Sequence, residues 1–241
     1  ISKIPAKNRL ADFPHYLMHR AEQLDNLYIF KNTEGTPENI RKFHPNIIVS
    51  STGSAPLLPP IAGLKDRIDN EKHNIYSILG MISHINDFPK DLEGKKVVVV
   101  GGGAVGLDVV EFFADRNADI SIVEMMDQIG RDLDPVSKND TKTMMKKHNV
   151  HQLTKTALLE VKDSSFLVRG DGEPYELPFE YGFVCLGMRA QGQLYQNLTE
   201  EFSSEDVEIM NIGDSQRARR IIDGTQEGRN ILTILEQKGY L

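Results

Sequence analysis

The sequence predicts a mixed α/β fold built on a parallel sheet, and three observations predict it. A four-valine run at 97–100 is followed by a glycine-rich turn, an apolar-periodic stretch at 105–117 and a second apolar run at 119–124, which is a βαβ order. Short apolar runs at 27–30, 46–50 and 183–186 are bounded by turn residues, as buried parallel strands are. A chain of 241 residues that is 39% hydrophobic has room for one or two cores.

Taken in order, residues 9–24 place Leu10, Phe13, Leu17, Ala21 and Leu24 at helical spacing, with Pro14 tolerable only in the first turn. Strands are expected at 27–30 and 46–50, joined by a short helix at 36–41 that opens on Thr-Pro. The stretch from Ser51 through Gly63 is rich in Gly and Pro and marks a passage between domains. After the βαβ unit come a helix at 135–148 and short runs at 157–161, 165–169 and 175–177, which read as an antiparallel excursion. A buried strand at 183–186 ends in Gly187, and a strand at 208–213 precedes a terminal helix at 219–238.

Composition narrows the function. With a formal net charge of -7 there is no basic stripe for a phosphate backbone, so a nucleic-acid partner is not expected. The longest apolar runs are strand-sized, far short of the roughly 20 residues of a membrane helix. One cysteine, Cys185, allows no intrachain disulfide, which suits a cytoplasmic location. Residues 1–10 lack the apolar segment of a secretion signal, and the start reads as internal to a longer chain.

The chemistry lies at Gly101, Gly103 and Gly106, a Gly-x-Gly-x-x-Gly pattern that also contains Gly102, Ala104 and Val105. The pattern follows a strand and opens a helix, the setting in which it binds a dinucleotide pyrophosphate at the helix N-terminus. Glu124 ends the next strand, where a carboxylate accepts the ribose hydroxyls. No Lys or Arg stands between Glu124 and Arg131 to receive a 2′-phosphate, so the expected cofactor is NAD(H) rather than its phosphorylated form. The plain alternative is a glycine-rich turn without a ligand.

Two flanking segments complete an arrangement. Thr52 and Gly53, followed by Ser54, resemble the Ala-Thr-Gly turn by which two-dinucleotide flavoproteins pass from an FAD domain into an NAD domain, with Ser51 replacing the Ala. Gly213 and Asp214 resemble the Gly-Asp motif that returns the chain to FAD, where the Asp would bind a ribityl hydroxyl. The stretches at 124–130, 185–189 and 219–228 resemble the C-terminal region of old-yellow-enzyme-like NADH:flavin oxidoreductases, a group that includes 2,4-dienoyl-CoA reductase, 2-enoate reductase and trimethylamine dehydrogenase. The resemblance covers essentially the whole chain. It differs from flavin disulfide reductases in lacking an active-site cysteine pair.

The resemblance implies a two-dinucleotide-binding, Rossmann-like flavoprotein fold with an NAD domain inserted in a partial FAD domain. Its segments would be 1–68 and 197–241 for FAD and 69–196 for NAD(H), with Gly187 and Arg219 added to the cofactor-binding set. It implies hydride transfer from NADH to FAD, with no side chain acting as a catalytic acid or base. Electrons would then pass to an FMN-binding barrel through a 4Fe-4S cluster, and that barrel would reduce an activated C=C bond. FMN and the cluster belong to an N-terminal part outside this sequence, as does the first βαβ unit of the FAD domain, so a C-terminal fragment is expected. In trimethylamine dehydrogenase-like members ADP fills the flavin site. The rival class is a non-catalytic module that holds ADP or NAD for structure or docking.

Other candidates have plainer readings. His148 and His151 straddle a helix end and a strand start, which favours a solvated turn over a metal pair. Cys185 reads as a buried inert thiol, and Met125, Met126, Met144 and Met145 as core filling. Arg217, Arg219 and Arg220 precede the last helix and are either flavin-pyrophosphate ligands or a solvated basic turn.

Overall fold

A computed structural model describes residues 2–240. After a 3-10 turn at Pro5–Ala11 come α1 (Asp12–Ala21), α2 (Pro37–Arg41), β1 (Ile47–Ser50) and β2 (Ser54–Pro56). Next are α3 (Leu64–Arg67), β3 (Ile75–Tyr76), α4 (Ile78–Ser83), β4 (Lys96–Val100), α5 (Ala104–Ala114), β5 (Asp119–Val123), α6 (Pro135–Lys147) and β6 (His151–Leu153). The chain continues through β7 (Ala157–Val161), β8 (Ser165–Arg169), β9 (Tyr175–Pro178), β10 (Tyr181–Val184), β11 (Met188–Ala190), α7 (Gln193–Glu201), β12 (Glu208–Asn211) and α8 (Ile221–Gln237). The helices open where local chemistry allows. Thr36 accepts from the Asn39 N–H and Asp134 from those of Val136 and Ser137, each just before a proline at the first helical position.

The chain forms two units, and the first joins the segment up to Leu24 to Pro56–Gly187. Its sheet has the order β3-β10-β4-β5-β6 with every neighbour parallel. Val97 to Val100 are at most 3% exposed, because α5 packs on one face of the strand and β7 and β8 pack against Val98 and Val100 on the other, leaving no solvated side. Each such side chain contributes about 1.5–3 kcal/mol on burial. Helix α5 packs on this sheet through Leu107, Val110 and Phe113, the last 4.8 Å from the Phe183 ring centroid. The strands β7, β8 and β9 form the expected antiparallel excursion, with Val161, Phe166 and Val168 fully buried.

The second unit joins Asp25–Ala55 to the chain from Met188 onward. Strands β1 and β12 form a parallel pair, in register from Ile47 opposite Glu208 to Ser50 opposite Asn211. Ile48, Leu198 and Phe202 make its small core. Arg41 pairs with Glu201 and Glu205 and stacks over the Phe202 ring, tying α2 to α7.

Two expectations are corrected. Residues 27–30 form no strand, and Leu27, Tyr28, Ile29 and Phe30 are 44–77% exposed. The described strand pairs of this unit are β1–β12 and β2–β11, and residues 27–30 join neither ladder, so their apolar side chains stay uncovered. The helix expected at 9–24 is a 3-10 turn followed by α1, and its apolar face of Leu10, Phe13 and Leu17 is exposed rather than packed.

Candidate dinucleotide site

The glycine loop connects β4 to α5, and its backbone explains its composition. Gly101 has φ +110°, and a Cβ there would stand 2.2 Å from the Cys185 carbonyl oxygen. A Cβ on Gly106 would stand 1.9 Å from the Gly101 carbonyl oxygen, so only glycine lets the helix approach the strand this closely. Gly103 is different: it lies at the N-cap of α5 in extended geometry, and nothing occupies the space within 4 Å of its Cβ position. The first intrahelical bond runs from the Leu107 N–H to the Gly103 carbonyl, so the N–H groups of Ala104, Val105 and Gly106 have no acceptor within the helix. The first turn also carries no acidic residue. Open space, free N–H groups and the positive end of the helix dipole fit a pyrophosphate.

Glu124 sits beside this loop. Its carboxylate accepts from the Gly102 N–H at 2.6 Å and from the Met126 N–H at 2.7 Å. Each oxygen keeps lone-pair capacity for a ribose hydroxyl. The Gly130 N–H donates to the Gly102 carbonyl at 2.7 Å, so the segment after β5 is bonded to the loop a second time. These ties were invisible in the sequence, since Gly102 occupies a variable place in the pattern. Met125 and Met126 are 68% and 40% exposed, not core filling, because they lie past the end of β5 in the segment that follows it. Met145 is buried.

Neighbouring groups set the electrostatics. Cys185 is buried next to the loop, and burial pushes its thiol up to about 12, with the charges of Asp108 and Asp69 adding to the effect. Gly187 has φ +107°, and its carbonyl accepts from the Leu57 N–H. The ammonium of Lys7 pairs with Asp108 and Glu111 on α5, a contact with no signal in the sequence. Burial raises the Asp108 carboxyl while Lys7 opposes the shift. His148 caps α6, and His151 starts β6, with Nε2 3.4 Å from Asp119; no His, Cys, Asp or Glu cluster suited to a metal occurs among the described residues.

The second unit brings together the residues of the two flanking motifs. Thr52 donates to the Gln191 carbonyl at 2.7 Å, and the Gln191 N–H donates to the Gly53 carbonyl. Ser54 donates to one carboxylate oxygen of Asp214 at 3.1 Å, while the Arg219 N–H donates to the other at 3.1 Å. Gly213, at φ +65°, donates its N–H to Glu227, which also pairs with the Arg219 guanidinium. Arg219 and then the Gly213 N–H hold the Glu227 carboxyl below its ordinary range. Glu227 was not singled out in the sequence, where it stands as one more acid on an amphipathic helix. Arg217 turns back onto Gly213 through its N–H, and Arg220 caps α8 with Asp223. Hydroxyl, carboxylate and guanidinium groups are therefore held on one site, a donor set that fits the polyol and polar edge of a flavin cofactor.

Comparison with known proteins gives consistent matches. The family described as pyridine nucleotide-disulphide oxidoreductase matches residues 20–210. A metal reductase of Desulforamulus reducens is 26% identical over 91% of this chain and 36% of its own length. An NADH oxidase of Thermoanaerobacter brockii is 26% identical over 79% of this chain and 28% of its own length. Among solved structures, 2-naphthoyl-CoA reductase in complex with 2-naphthoyl-CoA is similar in fold, with a TM-score of 0.78 at 22% identity over 94% of this chain and 32% of that one. The chain thus spans about a third of the length of these proteins. No helix among the described residues is long and apolar enough to cross a membrane.

Proposed function

The chain belongs to the pyridine nucleotide-disulphide oxidoreductase family, whose members bind FAD and NAD(P)H, and from that premise we propose that it is the NADH- and FAD-handling portion of a larger flavin oxidoreductase. The observation that carries this reading is the glycine loop with Glu124 bonded to it at Gly102. In this reading residues 69–196 serve the nicotinamide cofactor, and 1–68 with 197–241 serve the flavin.

The bound cofactors supply the redox chemistry, a hydride passing from nicotinamide to flavin. The residues position and tune them. The N–H groups of 104–106 face the pyrophosphate, and the open side of Gly103 lets it approach. Glu124 receives the ribose hydroxyls and repels a 2′-phosphate. Ser54 and Asp214 engage the polyol of the flavin, and Arg219 steadies that edge with Glu227 behind it. Disulfide exchange has no dithiol in this chain, and the thiol of Cys185 is buried and held protonated. In the whole protein an iron–sulfur cluster and FMN held outside this sequence would take these electrons on to an activated C=C bond. The relative named NADH oxidase supports the use of NADH.

The second reading is a non-catalytic module holding ADP or NAD. One observation favours it: Asp214, Glu227 and Arg219 already satisfy one another. Anaerobic mixing of the chain with NADH and added FAD separates the two. Bleaching of flavin absorbance faster than in a protein-free control supports the redox reading, and equal rates both in this chain and in one extended N-terminally to retain flavin leave the module.

A further inference from the structure

A cavity of about 530 Å³ lies between residues 127–133 of the segment that follows β5, α6 and β6. That volume is in the range of small-molecule sites, roughly 300–1,000 Å³. Lys138 and Lys142 line it from one side of α6, one turn apart. Neither ammonium has a carboxylate or hydrogen-bond partner among the described residues, and the remaining charged group of the lining is Asp127. Two lysines and one aspartate are the charged residues of the lining, a locally positive concavity in a chain of net charge -7. The floor is apolar, from Met145, Leu133 and Ile129, and Gln152 and Thr154 add polar groups at one wall.

We propose that this cavity is a second ligand site, for a small organic carboxylate with an apolar body, and that its occupation is felt at the glycine loop. The two lysines take the carboxylate and the floor takes the body; inorganic phosphate would leave the floor unused. The link is short. The cavity wall contains Gly130, whose N–H donates to the Gly102 carbonyl at 2.7 Å, and the Gly102 N–H holds Glu124 at 2.6 Å. A ligand that shifts the wall therefore shifts the group that receives the ribose. The binding half stands apart from the nucleotide reading, and the coupling half rests on it.

The test uses the whole chain with benzoate as the probe, read by calorimetry against benzamide and inorganic phosphate. Benzoate is expected to saturate, with benzamide, phosphate and the K138Q/K142Q variant each weaker by about tenfold or more, since one charge-assisted contact is worth about that factor. Lys142 is exposed and Lys138 half-buried, and neither makes an ion pair among the described residues, so the variant should melt with the parent. With both ligands bound, benzoate should change the NADH Kd by at least about twofold, or roughly 0.4 kcal/mol of coupling. Absence of benzoate binding, unchanged binding in K138Q/K142Q, or equal binding of phosphate overturns the site. Mutual exclusion of benzoate and NADH, or an unchanged NADH Kd, overturns the coupling. If benzoate binds as stated and NADH does not, the nucleotide reading fails and the carboxylate site stands.

Discussion

Glu124 bears on loop and ligand together, because its carboxylate accepts from Gly102 and Met126. Replacing it with Ser should narrow the preference for NADH over NADPH by removing repulsion of the 2′-phosphate. The same change leaves two backbone donors without their acceptor, so NADH affinity should fall as well rather than hold. Titrations with both cofactors would check this, and equal affinities in the unmodified chain would remove the basis for the idea. Cys185 gives a second prediction. Its thiol is pushed from 9.0 to about 12 in the fold, so the unfolded chain ionises first as pH rises. Stability from this group is complete below 9.0 and is lost progressively as pH climbs toward about 12. Native protein at pH 8 should resist a disulfide reagent that labels the unfolded chain at once; rapid native labelling would contradict the burial.

At the scale of elements, the two ends of the glycine motif should respond to the same substitution in different ways. Gly103→Val places its side chain in open space and should abolish nucleotide binding without lowering Tm. Gly106→Val drives a side chain into the Gly101 carbonyl and should destabilise the whole β4–α5 pair, by the 1–3 kcal/mol or more of an overpacked core. Circular dichroism melts with NADH titrations would tell them apart, and a stable Gly106→Val variant would mean that helix and strand are not locked at that contact. This contrast also shows why the β4–α5–β5 unit was legible in the sequence. Its strands are apolar runs, its helix has periodic apolar residues, and its glycines are fixed by local geometry. The excursion of β7 to β9 was legible for the same local reason. Residues 27–30 were not, because an apolar run becomes a strand only when it pairs with another strand, and the sequence does not show which runs pair. The Gly102–Glu124, Gly213–Glu227 and Lys7–Asp108 contacts were equally silent, since they join residues 22, 14 and 101 positions apart through no repeated pattern.

Across the whole molecule the two cofactor sites are unequally furnished. The first unit has a glycine loop, an eleven-residue helix opening on it and an acid at the next strand end. The second has the polar set of Ser54, Asp214 and Arg219, but the sequence holds no second Gly-x-Gly-x-x-Gly pattern for a flavin pyrophosphate. Its described strands form only two-stranded pairs, β1–β12 and β2–β11, less than the three or more that usually make a stable sheet, and Leu27 to Phe30 lie exposed and unpaired with either. Both features follow if the flavin domain is finished by a βαβ unit that precedes this sequence in the same protein, as the resemblance implies. The pyrophosphate site is the strongest polar anchor of such a cofactor, so this chain should bind NADH yet purify colourless. A longer chain carrying a strand, glycine loop and helix ahead of residue 1 should retain flavin through gel filtration. In that chain residues 27–30 should gain protection from hydrogen exchange, because they would then have an edge to pair with. Stoichiometric FAD on the 241-residue chain, read by flavin absorbance after gel filtration, would show instead that Ser54, Asp214 and Arg219 suffice to hold the cofactor.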